Sequence, residues 1–253
     1  MGIDELSGLP NRLDHLTWAE VDAHIEAGGA VILPAGSTEQ HGPMGLIGTD
    51  ALCAQTIAEA AAALCDAIVT PALAYTPAPF NTAFPGTLSI PTDLFEALAG
   101  AVLAGLQAQG FRRIFVLNGH GANLEPLGEA IAGLRHPVNL YSWWDFDEVN
   151  ALRRDWYGCW EGMHATPSEI SITQAAHRTV PVPTEAQVPP EQLSAAYLAT
   201  HAGDRHGPPN AHRARFPDGR VGSHSALARP EHGRKLIDAA ARALAAHISA
   251  TEG

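Results

Sequence analysis

The chain has 253 residues, 46% of them hydrophobic and 17% charged, a balance typical of a globular protein with a sizeable core. Its formal net charge of −12 is wrong for a phosphate-binding surface, which needs clustered Lys and Arg, so no nucleic-acid partner is expected. No run of about eighteen apolar residues suggests a membrane span. The three cysteines, Cys53, Cys65 and Cys159, are odd in number and form no CxxC pair, so the expected setting is a reducing cytoplasm without a disulfide framework.

The opening stretch MGIDELSGLPNRLDHL contains acidic residues and no apolar centre, so it does not read as a signal peptide. Leu16–Ala27 has apolar residues at helical spacing and stops at Gly28-Gly29. Ala30–Leu33 reads as a buried strand, Asp50–Leu64 as a helix rich in strong helix formers, and Ala67–Thr70 as a second strand. Tyr75–Ser89 holds three prolines and no periodicity, and a loop of that length inside a domain tends to be functional. Pro91–Gln109 then predicts a long helix, Arg113–Leu117 a strand, the stretch to about Leu134 a helix, and Val138–Ser142 a strand. A helix capped by Thr166 or Ser168 should run to about His177, and another from Pro230 to about Ile248. Pro181–Pro190 is a connector, and Arg205–Arg220, interleaved with Pro, Gly and Asp, reads as a loop. Residues 1–253 show no internal repeat or clean boundary, so one domain is expected. Its alternating strands and helices predict a mostly parallel sheet covered on both faces.

In such sheets, binding sites lie beyond the carboxyl ends of the strands. The stretch VILPAGSTEQHGPMGLIGTD, from Val31 to Asp50, leaves a strand and enters a glycine-rich loop containing Glu39, His41 and Asp50. Glu39 and His41 are two apart, so an extended backbone turns both side chains the same way. Asp50, at the head of the next helix, stands where an N-cap is common. One imidazole and two carboxylates form half of a divalent-metal site. His120 follows another strand end and supplies a further candidate ligand. The chain has thirteen histidines. Four of these, His201, His206, His212 and His224, fall in the irregular C-terminal third, where they read as a surface loop or subunit contact rather than a metal site.

Five segments in order carry a family resemblance: LPAGSTEQHG with Thr49-Asp50, FPGT at Phe84–Thr87, NGHGAN at Asn118–Asn123, SWWDF from Ser142, and HATPSEIS from His164. Together they resemble the creatininase (creatinine amidohydrolase) family. The resemblance implies a three-layer α/β/α sandwich and a binuclear metal centre. In it Glu39, His41, Asp50 and His120 would be ligands, with Asp50 bridging two divalent ions. Mixed carboxylate and imidazole ligation suits Zn²⁺ first, with Mn²⁺ or Fe²⁺ as alternatives, and a water shared by such ions is a hydroxide near neutral pH. Creatininase proper resembles NGHxEN, whose Glu is also a ligand. This chain has Ala122 there, which leaves Glu169 as the source of the missing carboxylate or, alternatively, as a helix-capping or substrate-contacting group. The resemblance places His164 near the substrate as a proton carrier and Trp144 and Trp160 at the pocket; Tyr75, Phe80 and Phe84 are positional candidates for its wall. It also implies a homo-oligomer, often a hexamer, acting on a small molecule. The expected activity is hydrolysis of a C–N bond in a small amide, formamide or cyclic amide, away from peptides. The alternatives are cleavage of a C–C or lactone-type bond in a cyclic carbonyl compound, or a metal-binding scaffold without turnover.

Overall fold

The structure, a computed structural model, describes residues 11–251. Most of the opening stretch read as lacking a signal peptide therefore lies outside the described residues.

The sheet is built on β1 (Ala30–Ala35, AVILPA), whose six residues are all buried because both faces of the strand are covered. It lies between β2 (Ala67–Val69) and β3 (Ile114–Asn118), with β4 (Asn139–Ser142) beyond β3, in the order β2-β1-β3-β4. All three pairings are parallel, with Ile32 opposite Val69 and Phe115, and Val116 opposite Leu140. Pro34 is tolerated in this central strand because its missing N–H would face the β2 side, where β2 has already ended.

Alternate residues of the strands feed two separate cores. Ile32, Val69, Phe115 and Leu117 pack on one face against α2 (Thr49–Ala62), α6 (Pro167–Ala176) and α9 (Pro230–Ala250). Val31, Leu33, Ile114 and Val116 pack on the other against α1 (Trp18–Glu26), α3 (Thr92–Gln109) and α4 (Leu124–Ala132). A fully buried Phe or Leu in these layers contributes roughly 1.5–3 kcal/mol. The result is the expected α/β/α sandwich, and among the described residues no helix is long and apolar enough to cross a membrane.

Three segments differ from the sequence expectation. Asp147–Trp156 forms α5, with acidic residues in its first turn and Arg153 and Arg154 in its last, a charge order that suits the helix dipole. The stretch to Gly222 contains α7 (Ala195–Thr200), and the Arg205–Arg220 loop contains α8 (Pro209–Arg215). Both are too short to show an apolar period. Asp50 is the second residue of α2 rather than its N-cap, a position held by Gly48.

The strand order also fixes where a site can form. From β1 the chain crosses through α2 to β2, and from β3 through α4 to β4, on opposite sides and opposite faces. The connections therefore diverge between the carboxyl ends of β1 and β3, the switch point at which open α/β sheets bind ligands.

Candidate metal centre and cleft

At that switch point, β1 hands on to the loop carrying Glu39 and His41, α2 begins with Asp50, and β3 ends just before His120. Asn118 braces the last turn: its Oδ1 accepts from the His120 N–H and its Nδ2 donates to the His120 carbonyl. Glu169 enters from the first turn of α6, and His164 from the preceding loop, which is tied to Val221 and Gly222. These six side chains are between 0 and 8% exposed. Among the described residues no Lys or Arg pairs with the three carboxylates, so histidines alone face them.

The ring orientations make the arrangement decisive. His41 Nδ1 lies 3.1 Å from the Glu39 carbonyl oxygen, which can only accept, so Nδ1 carries the proton. The lone pair on Nε2 then points at Asp50 Oδ1, 2.8 Å away, with Glu169 Oε1 at 3.9 Å. His120 is the mirror case. Its Nε2 donates to the Pro77 carbonyl at 2.8 Å, leaving Nδ1 to face Asp50 Oδ2 at 3.0 Å and Glu39 Oε1 at 3.1 Å. Each neutral ring thus aims an acceptor at acceptors, which only a second proton or a cation can reconcile. Ring N–H groups anchored on carbonyls are the usual means of orienting a metal-binding histidine.

The electrostatics express the same demand for positive charge. Burial opposes a charged His41, but Asp50, Glu169 and Glu39 outweigh it and hold the imidazole up at about 10. Burial likewise opposes charge on His120, and Glu39 and Asp50 again push it well above the ordinary range. Burial alone would raise Asp50, yet the two histidines hold it well below the carboxylate range. Glu169 goes the other way: burial pushes it up to about 8 against the pull of His41.

The donor atoms fall into overlapping groups whose members lie within 4.8 Å of one another: Glu39, Asp50 and His120; His41, Asp50 and Glu169; and Glu39, His41 and His164. The first two share Asp50, one oxygen to each, while Ser37 Oγ donates to Oδ2 at 2.7 Å. Glu39 Oε2 accepts from Asn81 at 2.7 Å, whereas Oε1 is buried without a hydrogen bond. An orphaned oxygen, two inward lone pairs and a shared carboxylate fit two divalent ions bridged by Asp50. Glu169 also completes a capping box, its Oε1 accepting from the Thr166 N–H at 2.5 Å, so it fills the capping role left open for it while belonging to a candidate metal group.

His164 Nε2 lies 2.6 Å from the Gln40 carbonyl and 3.1 and 3.2 Å from the side-chain amide nitrogens of Gln40 and Asn81, while Nδ1 lies 3.8 Å from Glu39 Oε1. Burial, then the neighbouring His41, holds this imidazole below its ordinary range. A cleft of about 220 Å³ opens over the centre, lined by Asp50, His120, His164 and Glu169 together with Trp143, Trp144, Arg153 and Asp204. Of the four expected substrate contacts, only Trp144 lines it. Trp160 packs near His224, Phe84 lies under Arg213, and Tyr75 is exposed at the surface. Phe80 is buried beneath His206 and His212, which therefore pack inward rather than forming the surface loop expected of them. Arg153 and Asp204 were not expected at the site. Neither belongs to a recognisable motif, and Asp204 comes from the segment between α7 and α8.

The family model described as creatinine amidohydrolase matches residues 14–248. The chain belongs to the creatininase family. Over 182 residues it is 29% identical to creatinine amidohydrolase of Pseudomonas putida, covering 64% of this chain and 70% of that one. Over 120 residues it is 42% identical to the mycofactocin precursor peptide peptidase of Mycolicibacterium smegmatis, covering 45% of this chain and 48% of the relative, so about half of that relative's length is spanned. A solved structure titled "Creatininase Mn" superposes with a TM-score of 0.75 at 25% identity, over 95% of this chain and 98% of that one. These two curated relatives are named as an amidohydrolase and a peptidase. The expectation of a non-peptide substrate needs widening, because the relatives include a peptide peptidase.

Proposed function

We propose that this creatininase-family protein hydrolyses an amide C–N bond at a centre of two divalent ions, held by Glu39, Asp50 and His120 on one side and His41, Asp50 and Glu169 on the other. Peptide amides belong in its substrate range beside small and cyclic ones. The observation that carries the reading is the pair of imidazole lone pairs aimed at the two oxygens of Asp50. Zinc suits the mixed nitrogen and oxygen donors first, and manganese has a precedent in the family's solved structures.

Two such ions, held by these residues, would supply Lewis acidity, lowering the pKa of a water at the centre towards neutrality and polarising the amide carbonyl. The chain's own residues do the rest. Asn81 and Ser37 fix the carboxylates through hydrogen bonds of 2.7 Å. His164, neutral at the outset, presents Nδ1 to the cleft while Gln40 pins its opposite nitrogen. It accepts the proton released by the attacking water and delivers it to the departing nitrogen as the C–N bond breaks, a role suited to imidazole. Trp143 and Trp144 wall the cleft and limit water around the amide.

The test pairs elemental analysis of the purified protein with a panel of primary amides, N-formyl compounds, cyclic amides and short peptides, assayed before and after chelation. Close to two ions per chain, and turnover of at least one amide class that is lost on chelation and restored by metal, is the expected result. Stoichiometric metal without any amide turnover would favour the scaffold reading, and absence of metal would refute the mechanism.

A further inference from the structure

The segment between α7 and α8 does more than cover the site. Gly203 and Asp204 take consecutive left-handed conformations, with φ of +71° and +56°, turning the chain so that the Asp204 carboxylate enters the cleft. Asp is among the few residues other than glycine that tolerate this backbone. The carboxylate fills the space left by the small residues of NGHGAN: a Cβ on Gly121 would collide with Asp204 Oδ2, and the Ala122 N–H donates to that oxygen at 3.2 Å. Its other near neighbours are His120 Nδ1, 3.6 Å from Oδ2, and His206 Nε2, 3.7 Å from Oδ1.

Asp204 does not join the metal groups, since its oxygens fall outside the sets lying within 4.8 Å of one another. It is a carboxylate with about four acceptor positions and a single hydrogen bond from the described residues, set in the wall of a cleft. Those positions line the cleft, where donors on a bound molecule can reach them.

We propose that Asp204 is a substrate-recognition residue that binds a protonated amine or amidinium on the substrate, close to the scissile amide. The inference rests on the amidohydrolase reading and narrows its substrates to amides bearing a cationic nitrogen. Gly121 and Ala122 belong to the same device, since they make room for the carboxylate.

The probes are glycine hydroxamate and β-alanine hydroxamate, whose hydroxamate grips a divalent ion and whose ammonium can reach Asp204, each paired with its N-acetyl derivative. Calorimetric titration of the metal-loaded full chain should show the free amine binding about ten- to a hundredfold more tightly, in keeping with a charge-assisted hydrogen bond. Asp204→Asn keeps the shape and tolerates the backbone, and it should erase that preference without changing the metal content. Gly121→Ala, with the carboxylate intact but displaced, should erase it too, and serves if Asp204→Asn fails to fold. Equal binding of amine and acetyl probes to the wild type would overturn the proposal, as would a preference that survives both substitutions. A loss of one ion in Asp204→Asn would make the residue a ligand and overturn it as well. Failure of every hydroxamate to bind would instead strike at the amidohydrolase reading.

Discussion

Glu169→Gln is the sharpest test of the centre because it separates the two roles that one side chain fills. Glutamine retains an Oε1 to accept the Thr166 N–H and is an accepted partner in a capping box, so the first turn of α6 should persist. What disappears is the negative charge 3.9 Å from His41 Nε2, one of three donors in the His41, Asp50 and Glu169 group. Loss of a residue that merely supports a metal ligand typically costs about 10–100-fold in affinity, so loss of a ligand should cost at least about 100-fold. Dialysis against buffer with weak competing chelator should therefore leave about one ion in Glu169→Gln, against about two in the wild type. Asp50→Asn, which replaces one oxygen of the carboxylate that both groups share with an amide nitrogen, should retain almost none. The thermal midpoint gives an independent reading. An ion at a hundredfold excess over its Kd stabilises by about 2.7 kcal/mol, worth roughly 5–11 °C at about 2–4 °C per kcal/mol for a chain of this size. Metal addition should shift the wild type by more than it shifts Glu169→Gln, and Asp50→Asn hardly at all. Two tightly held ions in Glu169→Gln would refute the assignment, and two in Asp50→Asn would refute the bridged centre.

Three further outcomes follow from the geometry. His164→Asn should lower kcat by about 10²–10⁴ while the metal content stays at the wild-type value; a lost ion would assign His164 to the Glu39, His41 and His164 group instead. Burial, then His206 and His164, pushes His212 down to about 3, below the ordinary value of about 6.5 that it regains on unfolding. The unfolded chain therefore binds the extra proton first, so this residue's contribution to stability is present above pH 6.5 and falls as the pH drops towards 3. In chelator-treated protein, thermal midpoints of His212→Gln should decline less than those of the wild type from pH 7 to pH 4, and parallel declines would refute the linkage. Among the three thiols, Cys53 is buried and held well above its ordinary pKa by burial, and burial pushes Cys65 up to about 11, while Cys159 is exposed. Brief alkylation of the native protein at pH 7.5 should thus give a single adduct at Cys159 by mass spectrometry, and prompt labelling of Cys53 would contradict the packing of α2.

The parts of the site that could be read from the string are those a local signal positions. β1 and β3 are continuous apolar runs that end in glycine-containing loops, so Glu39, His41 and His120 could be placed at one edge of a parallel sheet before any coordinates were known. Asp50 stands out for its chemistry but lies two residues past the N-cap expected of it, because Gly48, with no side chain to signal it, holds that position. The approach of His120 to Glu39 and Asp50 across the switch point is a property of strand order, and the ligand assignments rested on motif resemblance rather than on spacing. The helix Asp147–Trp156 went unseen because its evidence is a charge gradient with a weak apolar face, masked by the flanking tryptophans. The resemblance places Trp160 at the pocket and the long loop suggests Phe84 and Tyr75, but contacts are decided by where a loop returns, and these three return elsewhere.

Asp204 shows most clearly where a linear reading stops. Ala122 registers in the sequence as a missing carboxylate, a deficit at one position. In the folded chain the same small residues leave space, and a segment some eighty positions later places a different carboxylate there, donated to by the very N–H of Ala122. The two observations are a single event, because Asp204 can occupy that place only while Gly121 carries no side chain. Glu169 meanwhile stands beside His41 and Asp50. A centre holding three donor carboxylates plus Asp204 carries four formal negative charges, which two divalent ions would neutralise, whereas Asp204 keeps acceptor positions that no described residue fills. The alanine that stands where creatininase proper has a glutamate thus sits against a different carboxylate, so on the recognition proposal the departure at Ala122 bears on specificity.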